Sequence, residues 1–466
     1  MTNPKILIRL IALVLTFTQS LAIVRAGERA NIRGMAMART FVATSRGIDA
    51  VGINPANLAL PDRGTVTVSI IPFGAHAGSD FLDYDLYTSY FTGIETDSGR
   101  AATYMNESDK RRVLEAFEDA TGRISVDVEA TVVGISYRLG RIGALALTVK
   151  EQIYAFVDLP RDYVEFIFNG NPTGTKYEFG STEARASWTR EFALSFGANI
   201  PGVSFLPSFA VGLGVKLLKG YGFYEIQRFN ASLETSENAT LTGVIDFLSR
   251  SAGEDPTRNR SLNAYTFFPQ PAGTGYGLDL GIAGAFNDYL SFGISVSDIG
   301  TINWTKDTRE TYADTTIVVD DPLQELQRDA IEDIVKGRKR SVESFSTPLP
   351  TSFRVGFALA VHNLPTFEKM PGELLVGLDY NQGFEETAIT TTNPRVSLGV
   401  EYKPLAWLPL RSGISFGGTD GVNLALGFGI NAGVFDFELA SENITWLFAP
   451  KSFSHGSVAA GMRLRF

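Results

Sequence analysis

The chain has 466 residues, among them 46 Gly, 33 Phe and 16 Tyr, with three His, no Cys and a net charge of −10. That balance argues against a general nucleic-acid binder, whose affinity comes largely from basic contacts to phosphate. Absence of Cys removes disulfides, thiolate catalysis and thiolate zinc sites together, and so many aromatics argue against disorder.

The N-terminus reads as a secretory signal. Lys5 and Arg9 give a positive region, "LIALVLTFTQSLAIV" an apolar one, and Val24 and Ala26 occupy the small-residue cleavage positions. Residues 1–26 are expected to be removed, leaving Gly27 at the mature start. Thr16, Thr18, Gln19 and Ser20 weaken the run as a spanning anchor, and no later stretch is long and apolar enough for a membrane helix.

Residues 27–63 have no clean period of two and are rich in small residues. Asn54–Pro55 is a turn signal, because the residue before proline avoids the helical region. Met35, Met37, Phe41, Val42, Ile48, Val51, Ile53, Leu58 and Leu60 give the segment too much apolar surface for a free tail. A plug inside a larger structure is the expectation.

From residue 64 to 466 a period of two recurs along much of the chain. "SFRVGFALAVH" sets Phe353, Val355, Phe357, Leu359 and Val361 against Arg354, Gly356, Ala358, Ala360 and His362. A strand sends successive side chains to opposite faces, so each such run has one oily and one wet face. The wet face is rich in Gly and Ala, as though something fitted against it. Fourteen strands are predicted near 65–77, 125–138, 142–158, 183–199, 208–228, 274–286, 289–299, 352–362, 373–382, 394–403, 410–418, 422–431, 433–442 and 455–466. Their connections alternate between long and short, with "GTD" at 419–421 a tight exception on the long side. Short periplasmic turns, long external loops and an even strand number describe an all-β, closed transmembrane antiparallel barrel. Closure is required because hydrocarbon leaves no partner for a bare sheet edge.

Two external loops are expected to carry short helices. "NESDKRRVLEAFEDATG" begins with a cap at Asn106 or Ser108 and stripes Val113, Leu114 and Phe117 along one side; "DDPLQELQRDAIEDIVKG" runs from Pro322 to Gly337. The last strand alternates down to Phe466, with Leu464 and Met462 on the same oily face.

"GMAMARTFVATSRGIDAVGINPANLAL", leading into fourteen strands, resembles the FadL-like superfamily of long-chain fatty-acid transporters. "GLDLGIAGAFNDYLSFGISVSDIGTINW" is similar to barrels of a Bacteroidota-type branch of that group, which includes PorV-like proteins of secretion systems. The resemblance implies an N-terminal hatch whose Asn-Pro-Ala motif is Asn54, Pro55 and Ala56, followed by Asn57, as candidate gate residues. A terminal aromatic also resembles the signal read by the barrel-assembly machinery of Gram-negative bacteria, so Phe466, Leu464 and Met462 are its candidates.

Strand parity points Asp279, Asp379, Glu401, Asp436 and Glu438 into the lumen with Arg354, Arg411, Arg463 and Arg465. Mixed signs in an enclosed lumen suit ion pairs that rigidify the wall and hold a plug; a selectivity filter is the functional alternative. His76 and His455 fall at the outer ends of the first and last strands, which a closed barrel pairs. They are the one constellation to test for catalysis or metal; chance proximity is the simpler reading. No catalytic residue, metal site or cofactor is assigned. The expected function is transport of hydrophobic small molecules across the outer membrane, with a hydrophobic ligand and membrane lipid as partners. A protein partner bound through the external loops, in a secretion or attachment system, is the alternative.

Overall fold

The alternating runs form fourteen antiparallel strands in a computed structural model, which describes residues 29–466 except 97–98, 102–103, 118–119, 204, 254–268, 320–335, 386, 388–389, 419–420 and 445–453. The expected signal segment and nearly all of the second loop helix lie outside the described residues. The wall begins with β1 (Val66–Ser79), β2 (Thr121–Arg138), β3 (Gly143–Pro160), β4 (Glu183–Asn199) and β5 (Ser208–Thr235). It continues with β6 (Gly273–Ala285), β7 (Leu290–Trp304), β8 (Ser352–Ala360), β9 (Glu373–Gly383) and β10 (Arg395–Leu405). β11 (Leu408–Gly417), β12 (Val422–Ala432), β13 (Phe435–Glu442) and β14 (His455–Arg465) complete it. Each strand pairs with the next, and β14 returns to β1 from Thr67↔Arg465 to Gly78↔His455. The sheet is closed.

Parity decides which side meets lipid. On β5 the side chains of Val211, Leu213, Val215 and Leu217 are exposed on the outside, while Ala210 and Lys216 are buried inside. Phe205, Phe286, Trp407 and Phe466 are exposed at the short-turn rim, where aromatic rings favour the membrane interface. This chain is therefore a transmembrane barrel: the greasy rows face outward, and the interior is filled by chain rather than by a second sheet. No described helix is long and apolar enough to cross a membrane, so the strands do the crossing.

Residues 29–65 thread the interior as a hatch containing α1 (Ile32–Ala36) and two 3₁₀ turns, Gly47–Ala50 and Pro55–Ala59. Ile32, Met35, Met37, Phe41, Val42, Ile53 and Leu58 are all buried there. The wall is irregular at several points, and one of them, in β1, lies beside the hatch. Ile71 of β1 has φ 43 and is followed by Pro72, which has no N–H to give the ladder. Pairing to β14 slips between Ile70 and Phe73, pairing to β2 jumps from Ser69↔Gly134 to Phe73↔Ala130, and the β2–β3 register slips between Thr131 and Val133.

Outside the membrane the wall continues as an arm. The upper half of β5 pairs on one side with Thr175–Glu178 and on the other with Leu241–Gly253; next come Arg309–Val319 and Arg338–Ser341. All four of these strands lie in stretches expected to be loop, because the arm mixes polar and apolar residues and so lacks the long oily row that marks the wall. Among the loop helices, α3 (Glu107–Glu115) is as expected, with Asn106 and Asp109 closing a capping box. Two further helices, α2 (Tyr84–Tyr90) and α4 (Arg161–Asn169), were not expected. α2 is short and rich in aromatic and hydroxyl side chains, which are mediocre helix formers, so its Asp83 cap is its main signal.

Candidate functional site

The hatch is seated by a belt of luminal glycines. A β-carbon at Gly212 would overlap Ala56 N, one at Gly281 would overlap Asn54 Oδ1, and one at Gly413 would overlap Met37 C. At Gly197, Gly377 and Gly399 it would lie 2.6 Å from Pro55 O, 2.7 Å from Thr40 Cγ2 and 2.8 Å from Met37 Cβ. The small residues of the wet face are the mould of the plug.

The expected gate motif is fully buried in that mould. Asn54 Oδ1 accepts from Ala56 N at 3.2 Å and caps the turn that Pro55 opens, while its Nδ2 donates to Ile282 O of β6 at 3.0 Å. Asn57 Nδ2 donates to Val42 O and to Ser45 Oγ, both at 2.8 Å. The motif is a wedge against β4–β6. Asn54 is extended (φ −149), whereas Ala38 and Arg39 of the hatch sit in the left-handed region at φ 50 and 62.

All nine luminal charges point inward. Glu401 binds Arg33 of the hatch at 2.9 and 3.0 Å and Arg411 at 2.6 Å, and Arg411 reaches Glu438 at 2.8 Å. Arg463 joins Glu438 (2.9 Å) to Asp49 of the hatch (2.8 Å), and Arg465 joins Asp436 to Asp62 (2.8 Å). Arg354 donates to the hatch carbonyl of Gly52 at 3.0 Å and to Ser297 Oγ at 2.8 Å. Two partners differ from the expected Asp–Arg pairing. Asp379 accepts the backbone N–H groups of Phe41 and Val42 at 2.6 and 2.7 Å, and Asp279 pairs with Lys216 at 3.0 Å. The sequence reading left Lys216, Glu191, Asp127, Glu129 and Glu442 out of the candidate set. Parity held the signal: Lys216 shares a face with Gly212 and Gly214, and Asp127 and Glu129 alternate within "SVDVEA".

Above the hatch lies a cavity of about 390 Å³ that descends to Gly52 and Arg39. Its polar lining includes Lys150, Gln152, Arg185, Glu191, Lys216 and Asp298, and its apolar lining Leu218, Phe223, Ile302, Trp304 and Leu349. Trp304 packs against Phe223 at a tilt, with ring centroids 5.2 Å apart, and donates from Nε1 to Thr347 Oγ1 at 2.9 Å.

His76 and His455 do meet, with ring centroids 5.9 Å apart, and His455 lies 3.4 Å from Asp80. No group of three potential metal ligands forms among the described residues. His362 binds Leu374 O at 3.0 Å near a short turn, away from both. At the seam, Phe466 O accepts from Val66 N at 3.0 Å, Phe466 N donates to Val66 O at 2.9 Å, and the ring faces outward. Met462 is on the same outer face, with Leu464 half-buried between them.

A closed fourteen-strand barrel around a buried N-terminal segment is thus the class that fold and site define. The chain belongs to the family of unknown function DUF5723, whose model matches residues 55–442. No curated protein matches it. Solved structures similar to it include the toluene transporter TbuX of Ralstonia pickettii, at 12% identity over 93% of this chain and 98% of that one (TM-score 0.45). A FadL homologue of Pseudomonas aeruginosa is 11% identical over 95% of this chain and 99% of that one (TM-score 0.45). The CymD monoaromatic hydrocarbon channel is 12% identical over 96% and 98% (TM-score 0.45).

Proposed function

We propose that this barrel resides in the outer membrane of a Gram-negative bacterium, exported by a cleaved signal, and transports small molecules with a hydrophobic body past its hatch. The observation that carries the reading is the external cavity, which ends on the hatch turn at Gly52 and has an apolar wall around Trp304. The rest of its lining is polar, so a cargo that also carries hydrogen-bonding groups fits better than a bare hydrocarbon: an apolar ligand pressed on those groups would strip their water without replacing it. The ladder break at Ile70–Pro72 supplies a route sideways into lipid, which spares an oily molecule a passage through water. Asn54, Pro55, Ala56 and Asn57 then serve to hold the hatch shut against β4–β6. The luminal charges serve as its braces, and Phe466, Leu464 and Met462 as the signal for membrane insertion.

Native mass spectrometry of the purified full chain tests this first: a small hydrophobic or amphipathic ligand should co-purify. Uptake of that ligand into proteoliposomes should follow. A stoichiometric protein partner with neither ligand nor uptake would favour the second reading, partner binding through the external loops. That reading draws support from Tyr84, Tyr87 and Phe91, which stand exposed on and beside α2.

A further inference from the structure

The hatch has two lobes, and they are held differently. Residues 54–60 wedge against β4–β6, with Ala56, Ala59 and Leu60 packed on Ala210 and Ala283. Residues 29–39 press on the β13–β14–β1 seam, with Ile32, Met35 and Ala36 packed on Ala440 and Ala459. Here the hatch also covers the wall break. A β-carbon at Gly461 would lie 2.6 Å from Ile32 Cδ1 and 2.9 Å from Pro72 Cα, and one at Gly74 would overlap Arg29 O.

This lobe, the first in chain order, is fixed by a carboxylate shared between two arginines. Glu442 Oε1 accepts from Arg39 Nε at 2.8 Å, and its Oε2 accepts from Arg39 Nη2 at 3.0 Å and from Arg29 Nη1. Arg29 Nε also donates to Asp127 Oδ2 at 2.6 Å, and its backbone N–H to Glu129 Oε2 at 3.1 Å. Arg29, Asp127, Glu129 and Glu442 are all buried. Ion pairs out of water are strong and unforgiving: removing one member strands the other's charge.

Glu442 differs from the other braces in how its own backbone is held. Glu401 is paired on both sides, to Leu375 of β9 and Arg411 of β11, and Asp436 and Glu438 are paired to β14 at Arg463 and Gly461. The β13–β14 ladder stops at Ala440↔Ala459, two residues before Glu442. Beyond it, Glu442 is paired only to β12, at Ala425, and reaches β14 through one side chain: its N–H donates to Ser457 Oγ at 2.7 Å, and that hydroxyl donates back to Glu442 O at 2.8 Å. Asn443 follows in the left-handed region at φ 59, where the external loop leaves the wall.

We propose that Glu442 is the latch of the hatch, a carboxylate at the root of the β13–β14 external loop whose hold on Arg29 and Arg39 keeps the first lobe across the break in β1. Loss of that carboxylate loosens the lobe at Arg29 and Arg39 together, with Arg29 still tied to Asp127 and Glu129, while the wedge at Asn54–Asn57 stays seated. This regulates the exit route of the transport reading and rests on that reading for its purpose, though not for its test.

The chain has no Cys, so single thiols report cleanly. In the full chain reconstituted into liposomes, Ala459→Cys reports the first lobe and Ala283→Cys the second. Glu442→Gln should raise the rate at which a small water-soluble maleimide labels Ala459→Cys at least tenfold and leave Ala283→Cys unchanged. Arg39→Gln should give a smaller rise at the same position, since Glu442 keeps Arg29. Equal rises at both reporters would mean general loosening, and no rise in a barrel that keeps its folded mobility on an unheated gel would mean no latch; either overturns the proposal. Should Glu442→Gln not assemble, Arg39→Gln is read by the same two criteria. Labelling needs no cargo, so a selective rise without passage of any solute keeps the latch and removes the transport reading.

Discussion

A methyl group separates two outcomes at the luminal glycines. Gly212 backs directly onto Ala56 N, whereas a β-carbon at Gly222 would meet nothing within 4 Å. Gly212→Ala must push backbone against backbone, and overpacking of that kind costs about 1–3 kcal/mol; Gly222→Ala should be close to neutral, and thermal melts of the two variants side by side check this. Asp379 offers a second contrast. Asp379→Ala leaves the N–H groups of Phe41 and Val42 buried without their acceptor, at about 1–3 kcal/mol for each. Hydrogen exchange at those two amides should quicken well before the barrel melts. The inward aim of Asp379 was legible, because parity fixes a strand residue's face. Its partners were not: they are main-chain groups of a segment without any period, and no side-chain pattern announces them.

Elements with one continuous oily face were legible and those with mixed faces were not. The wall strands declared themselves; the external arm did not, although Leu241–Gly253 and Arg309–Val319 are as regular as any strand in the membrane. Polar contacts across its face help to hold it. Glu310 accepts from Arg340 Nε at 2.8 Å and from Arg250 Nε at 3.2 Å, and Arg340 lies over the Tyr312 ring at 5.3 Å. The hydrogen bond from Arg340 holds the Glu310 carboxyl below its ordinary range. A carboxyl lowered in the folded state stabilises the arm fully above the usual glutamate value of about 4.3, and that contribution is lost as pH falls through the lowered value. Proteolysis within 241–253 should therefore be slow at neutral pH and quicken below about pH 4, with Glu310→Gln showing the faster cutting already at pH 7. The effect is small, since Arg340 is largely exposed and solvent screens it.

For the whole molecule the question is how the cylinder closes, and the last residue stands at the answer. Strand number was legible because loop lengths alternate along the chain, and so was the pairing of the two ends; the path of the hatch between them was not, since 3₁₀ turns and left-handed residues leave no repeat. Phe466 makes its seam bonds to Val66 with its backbone alone, and its ring points away from the barrel. The two roles open to that ring, an interfacial anchor or a mark read during insertion, separate on this point. Phe466→Ala keeps the backbone bonds, so a barrel refolded from denaturant should lose less than about 1 kcal/mol, as other surface changes do. Assembly in cells is a different matter: if the ring is read by the insertion machinery, the amount of folded protein in the outer membrane should fall several-fold, with the unassembled chain degraded or aggregated. Quantitative blots of heat-modifiable barrel, set beside the refolding curve, decide it. Equal losses in both would make the ring an anchor, and a full yield in cells would leave the alternation of β14, with no special end, as all that insertion needs.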